Sequence, residues 1–192
     1  AAATPPASAP SESAVVAKVD SLRALLPANP ADSGKAVAHG VVLLATPDEG
    51  QALAKWAEAA MSLPGGTVSV VPGTGRGLRY LVQAGAFRSP RQADSLLARL
   101  RDSAEVAADA GRVVATPFAL QLEVGVNRRA ARAVADGYVQ RQVAAYPLLQ
   151  ADGTATIYVG AFEAPEAAAP ALSALKGRGI TATLVYRTGR PF

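Results

Sequence analysis

Cysteine is absent from this sequence, and histidine, tryptophan and methionine occur once each. The first absence removes disulfides, thiolate nucleophiles and thiolate metal sites together. The one histidine, His39, precedes an apolar run, and no serine sits in an elbow motif, so little material is left for hydrolytic or redox chemistry. The expectation is a protein that is not an enzyme, with no catalytic residues, no metal site and no cofactor. Aromatic residues make up only 5% of the chain although half of it is apolar, so the cores should be thin and lined by alanine. No apolar run approaches the roughly 20 residues that cross a bilayer. Charge of one sign is also scarce: 19 Lys+Arg against 15 Asp+Glu leave +4, spread along the chain. That is too mild to argue for nucleic acid, though a polyanionic surface remains a possible partner.

What the sequence does contain is a repeat. Tyr80-Leu-Val-Gln-Ala-Gly-Ala-Phe87, followed by a Ser89-Pro90 turn and an amphipathic stretch to Leu100, returns as Ile157-Tyr-Val-Gly-Ala-Phe162 with its own stretch to Leu175. Gly85 and Gly160, Phe87 and Phe162, Pro90 and Pro165, Leu97 and Leu172, Leu100 and Leu175 all match at an offset of 75, as do Pro72 and Pro147. Matches at one offset point to an internal duplication and to units near the lower size limit for a self-sufficient core.

Ala1 to Ser13 are Ala, Pro, Ser, Thr and Glu, which bury too little surface to offset chain entropy, and read as a flexible linker. Such a tether commonly follows a removed signal or a membrane anchor; an ordinary disordered terminus has the same composition. No intact signal peptide is expected in these residues, and membrane attachment would need an anchor outside them. Val15, Val16, Val19, Leu22, Leu25 and Leu26 fall at helical spacing, which completes a segment 1–36 of linker and short amphipathic helix, with a loop over 29–34.

The rest divides into two units, 37–116 and 117–192. In the first, Val41–Leu44 reads as a buried strand, and Thr46-Pro-Asp-Glu49 as an N-cap, N1 proline and capping-box glutamate before a helix carrying Leu53, Trp56 and Ala60. Strands over 67–71 and 78–86, a helix from Ser89 and a strand over 112–115 complete it. The second unit repeats the order: strand 118–124, a helix capped by Asn127, strands 143–149 and 155–161, a helix from Pro165 to Lys176 kinked at Pro170, and a strand ending at Tyr186. The fold class predicted is α+β, two tandem ferredoxin-like β-α-β-β-α-β domains, each an antiparallel four-stranded sheet with two helices on one face. A second frame, beginning a unit at Tyr80, leaves an incomplete piece at each end. The glycines at 65–66 and 73–77 read as turns, since neither pair of flanks forms the strand-to-helix setting of a phosphate loop.

Alternation predicts which side chains the open faces present. Tyr80, Val82 and Ala84 should face the helices and Leu81, Gln83 and Gly85 the open side. In the second unit Ile157, Val159, Phe118, Leu120 and Leu122 face inward, while Thr156, Tyr158, Gly160, Ala119, Gln121 and Glu123 face out. Thr183 and Arg187 are expected outward on the last strand. Gln83, Gln121, Thr156, Tyr158, Thr183 and Arg187 are therefore the candidate ligand-binding residues, suited to sugar hydroxyls and amides; a merely solvated sheet face has the same pattern. Val41, Leu43 and Leu81 should lie outward in unit one, an apolar patch that needs a cover from the Val15–Leu26 helix, the other unit or a second chain.

Val82-Gln-Ala-Gly-Ala-Phe87 with its following helix resembles the SPOR domain pattern, and Ile157-Tyr-Val-Gly-Ala-Phe162 resembles it again, so that two tandem copies cover about residues 37 to 192. The resemblance implies a periplasmic or envelope location and binding of peptidoglycan, in particular of glycan strands stripped of stem peptides, through the open sheet, in cell division or wall remodelling, with envelope or divisome proteins as further partners. Two other readings of the residues stay open: a protein-interaction or oligomerisation module whose sheets pair with each other or with a partner, and, more distantly, an RNA-binding ferredoxin-like domain, which would need aromatic residues that the Tyr80–Phe87 strand lacks.

Overall fold

A computed structural model describes residues 26–60, 63, 65–73, 77–107 and 109–192. The expected linker over residues 1–13, and the expected Val15–Leu26 helix save for Leu26, lie outside these residues.

The protein is α+β and is built from two tandem ferredoxin-like domains. The first has β1 (His39–Thr46), α1 (Glu49–Ala60), β2 (Thr67–Pro72), β3 (Leu78–Phe87), α2 (Pro90–Asp102) and β4 (Arg112–Ala115). The second has β5 (Phe118–Val126), α3 (Ala131–Val139), β6 (Ala145–Leu149), β7 (Ala155–Phe162), α4 (Ala169–Gly177) and β8 (Thr183–Tyr186). Each sheet is antiparallel, in the orders β2-β3-β1-β4 and β6-β7-β5-β8, so the frame with two whole units is the one adopted.

Local chemistry sets most of these boundaries, with some shifts from the sequence reading. α1 is capped by Asp48, whose carboxylate accepts from the Gln51 amide at 3.0 Å, while Thr46 ends the strand and accepts from the Asp48 amide. Asn127 accepts from the Arg129 amide two residues on, an Asx turn, and the helix begins only at Ala131. Pro165–Ala168 forms a 3-10 turn that hands over to α4 next to Pro170, where proline is tolerated as an early helical residue. Pro72 and Pro147, equal in sequence offset, are not equivalent in space. Pro72 pairs with Leu78 beside the hairpin loop, whereas Pro147 pairs with Ile157, the counterpart of Val82. The first hairpin extends two ladder pairs, Val71 with Arg79 and Pro72 with Leu78, past the point where the second turns.

In each unit the helices cover one face. Ala52, Trp56 and Ala59 of α1 and Ala93, Leu96, Leu97 and Leu100 of α2 pack on Val41, Leu43, Val68, Val82 and Ala84. Val41 and Leu43 therefore face the helices, a correction to the outward placement expected of them. Val41 sits opposite Ala84 and Val42 opposite Gln83, so Val41 and, two residues on, Leu43 share the helix side, and the irregularity between Val42 and Leu44 brings Leu44 to that side as well, opposite Val82. Leu81 stays on the other face and is buried there. Unit two packs Ala131, Ala135, Ala171 and Leu175 on Phe118, Leu120, Ile157 and Val159. Glu123 also departs from simple alternation. A register shift after Gln121 sets it opposite Ile157, and it accepts from the Tyr138 hydroxyl of α3 at 2.9 Å.

Residues 28–36, expected to belong to the segment that precedes the first unit, and Val37 are docked on the last strand of the second unit. The Ala28 amide donates to Leu184, the Val37 amide to Arg187, and the Asn29 side chain both accepts from the Tyr186 amide and donates to its carbonyl. Where a loop over 29–34 was expected, Pro30–Lys35 forms a 3-10 helix.

Candidate functional site

The helix-free faces meet each other. Thr67 and Ser69 of β2 and Gln83 of β3 lie on that face of unit one, because Thr67 pairs with Gln83 and Ser69 with Leu81 in the ladder. β6 stops pairing at Ala145 and Val159, which leaves the next backbone groups of β7 without a strand partner on that side. Unit one supplies side chains instead. Thr67 Oγ1 accepts from the Gly160 amide at 2.9 Å and donates to the Ala144 carbonyl at 2.8 Å; Ser69 Oγ accepts from the Ala161 amide at 2.8 Å and donates to its carbonyl at 3.0 Å. Buried backbone groups left unpaired are costly, so these hydroxyls take the place of a missing ladder.

Beside them Ala86 of β3 and Val37 enter a buried cluster with Ala119, Tyr146, Leu148, Tyr158 and Val185, all on the helix-free face of unit two. The Tyr146 and Tyr158 rings lie 6.0 Å apart at 34° within it.

This arrangement decides where the six candidate residues lie. Gln83, Thr156, Tyr158 and Arg187 are 2%, 5%, 1% and 1% exposed, so four of the six are covered and the face expected to be open is closed. Gln83 Nε2 donates to Ser69 Oγ and to the Ala161 carbonyl, both at 3.0 Å. Arg187 donates to the Val37 carbonyl at 3.1 Å and to Thr116 Oγ1 at 3.3 Å, with the Tyr146 hydroxyl at 3.5 Å, and so clamps the segment before β1 to unit two. The Tyr158 hydroxyl is 3.3 Å from Thr188 Oγ1. Gln121 stands opposite Tyr158 on one side and Thr183 on the other, which brings these three into one row; Gln121 is half-buried and Thr183 exposed. Arg187 and Gln83 join different contacts from that row.

What the closed faces leave uncovered is a set of grooves between the units. An apolar cavity of about 140 Å³, lined by Val70, Tyr80, Val143 and Val159 among others, has Glu49 and Arg178 at its rim, ion-paired at 3.5 Å. A groove of about 710 Å³ runs between α1 and α3, with Arg132, Asp136, Pro147 and Phe192 on its walls. A third, of about 580 Å³, lies where the β3–α2 corner meets the C-terminal segment and contains Phe87, Arg88, Gln92, Gln150 and Arg190. None of these residues is among the six candidate binding residues expected from the sequence, although the sequence held a signal. At the repeat offset Arg88 is matched by Glu163 and Gln92 by Ala167, so the copies diverge directly after their shared Phe.

His39 pairs with Phe87 and Ala115 inside the first sheet. Among the described residues no group of three or more His, Cys, Asp or Glu side chains could hold a metal ion, and no helix is long and apolar enough to cross a membrane. No protein-family model, curated protein or solved structure matches the chain.

Proposed function

We propose that the chain is a non-catalytic module of the bacterial envelope that binds peptidoglycan glycan strands in the periplasm, in the setting of division or wall remodelling. The observation that carries this reading is the common place of the two SPOR-like segments. In each unit the Gly-Ala-Phe step ends the strand next to β1 or β5, its glycine takes a left-handed φ of 85° or 68°, and the Phe ring two residues on lies over it. With the helix-free faces turned on each other, glycan has to meet the grooves that remain.

Retention of the purified chain on isolated sacculi, with and without prior amidase treatment, tests this. The expected result is stronger retention after the amidase has stripped the stem peptides; equal recovery from sacculi and from a plain polysaccharide resin would reject it.

A second reading is favoured by the burial of Gln83 and Tyr158: the duplicated sheets serve to pair with each other, and the chain is a structural or protein-interaction module. Under that reading the amidase makes no difference to retention.

A further inference from the structure

We propose that the groove between the β3–α2 corner and the C-terminal segment binds a carboxylate-bearing sugar, specifically the free lactyl carboxylate of muramic acid in a strand whose stem peptides have been removed. This rests on the glycan reading above and gives it a site and a chemical handle.

The groove is assembled from both units. Phe87, Arg88 and Gln92 come from unit one, Leu149, Gln150 and Arg190 from unit two, and Val37 from the docked segment forms part of the floor. Its volume of about 580 Å³ falls in the range of small-ligand sites, roughly 300–1,000 Å³.

Its chemistry is one-sided. Arg88 and Arg190 are both exposed, neither is ion-paired among the described residues, and no carboxylate lines the groove. The other spaces differ in this respect: Arg132 shares its groove with Asp136, Arg178 is paired with Glu49, and the adjoining space of about 340 Å³ that Arg88 also borders holds Asp32 and Asp152 beside Lys35. An apolar floor of Val37, Ala86, Phe87 and Leu149 suits the C–H face of a pyranose ring, and two guanidinium groups at the rim suit a carboxylate, which arginine can hold through paired N–H donors.

A neighbouring structural network keeps the site in shape. Gln150 donates to the Leu148 and Thr188 carbonyls and accepts from the Thr188 hydroxyl, while Leu149 and Arg190 exchange backbone hydrogen bonds at 2.8 and 3.0 Å. The Arg190 side chain is thus carried on a fixed backbone and is free to act.

The ligand follows from charge. While the stem peptide is attached, the lactyl carboxyl of each muramic residue is tied up as an amide. Amidase action frees it, and the strand then carries one carboxylate per disaccharide.

The test is a calorimetric titration of the full chain with two probes: amidase-stripped glycan oligomers, and the same oligomers with their carboxylates converted to methylamides. The wild type should bind the stripped oligomers at least about tenfold more tightly than the amidated ones, and Arg88→Gln/Arg190→Gln should bind the stripped oligomers as weakly as the wild type binds the amidated ones, with an unchanged melting temperature. Equal affinity of the wild type for both probes, or wild-type affinity in the double variant, overturns the groove assignment and leaves the glycan reading standing. Binding of neither probe overturns the glycan reading itself, and the groove with it.

Discussion

Ser69 Oγ sits between the amide and the carbonyl of Ala161, 92 residues away, accepting from the first at 2.8 Å and donating to the second at 3.0 Å. One side chain of unit one thus satisfies two backbone groups of unit two that β6 does not reach. Ser69→Ala leaves the Ala161 amide without this partner in a buried setting and should cost about 1–3 kcal/mol, as should Thr67→Val, which strands the Gly160 amide. Urea denaturation of each variant measures this. The double variant should fall short of the sum, because both bonds support the same contact.

Gly85 and Gly160 carry the duplication at the level of backbone strain. Both lie in the left-handed region, and a Cβ on either would enter the ring of Phe87 or Phe162. Phe162 is buried and cannot move aside, whereas Phe87 borders a groove. Gly160→Ala should therefore lose about 2–4 kcal/mol and Gly85→Ala roughly half of that, read from thermal melting.

Much of this fold is legible in the sequence. The repeat, the order of elements and the helix-facing role of Val82, Ala84, Ile157 and Val159 follow from periodicity, because alternation is a property of the strand itself. The faces of Val41 and Leu43 were not legible because Val41–Leu44 is apolar at both parities and alternation cannot choose between them, and that of Glu123 was not because a register irregularity at residues 121–123 changes the parity and leaves no mark in composition. The candidate site was misplaced for a different reason. Alternation says that Tyr158 and Gln83 point away from their own helices, but what covers them is the other unit, and that contact depends on where β6 ends. The same polar outward residues serve a solvated face and a hydrogen-bonded interface between domains.

Arg187 tests how the segment before β1 is held. Its three acceptors are the Val37 carbonyl, Thr116 Oγ1 and the Tyr146 hydroxyl, and no carboxylate pairs with it among the described residues. Arg187→Lys retains the buried charge but cannot reach three divergent acceptors, so it should destabilise by about 2 kcal/mol or more. Limited proteolysis should then cut within residues 28–37, which resist in the wild type.

Tyr146 sets an alkaline limit. Burial pushes its phenol above the ordinary value near 10, an effect the Arg187 guanidinium partly offsets and neighbouring Tyr158 reinforces. With the folded value raised, the unfolded chain ionises first. This contribution to stability is complete below about pH 10 and is lost as pH rises from there through the folded value. Tyr80 and Tyr138, raised in the same direction chiefly by burial, add to the same window. Denaturation midpoints should be flat from pH 7 to 9 and fall above about pH 10, with a shallower fall in Tyr146→Phe.

The docking of the two helix-free faces is the claim on which the rest depends, and hydrogen exchange at the Gly160 and Ala161 amides measures it most directly. Both amides reach their partners only across the interface, through Thr67 and Ser69. If the units are docked as described, these two amides exchange as slowly as the core of β7, and Ser69→Ala selectively releases the Ala161 amide. Fast exchange at both in the wild type, while the Val159 amide stays protected, would contradict the account.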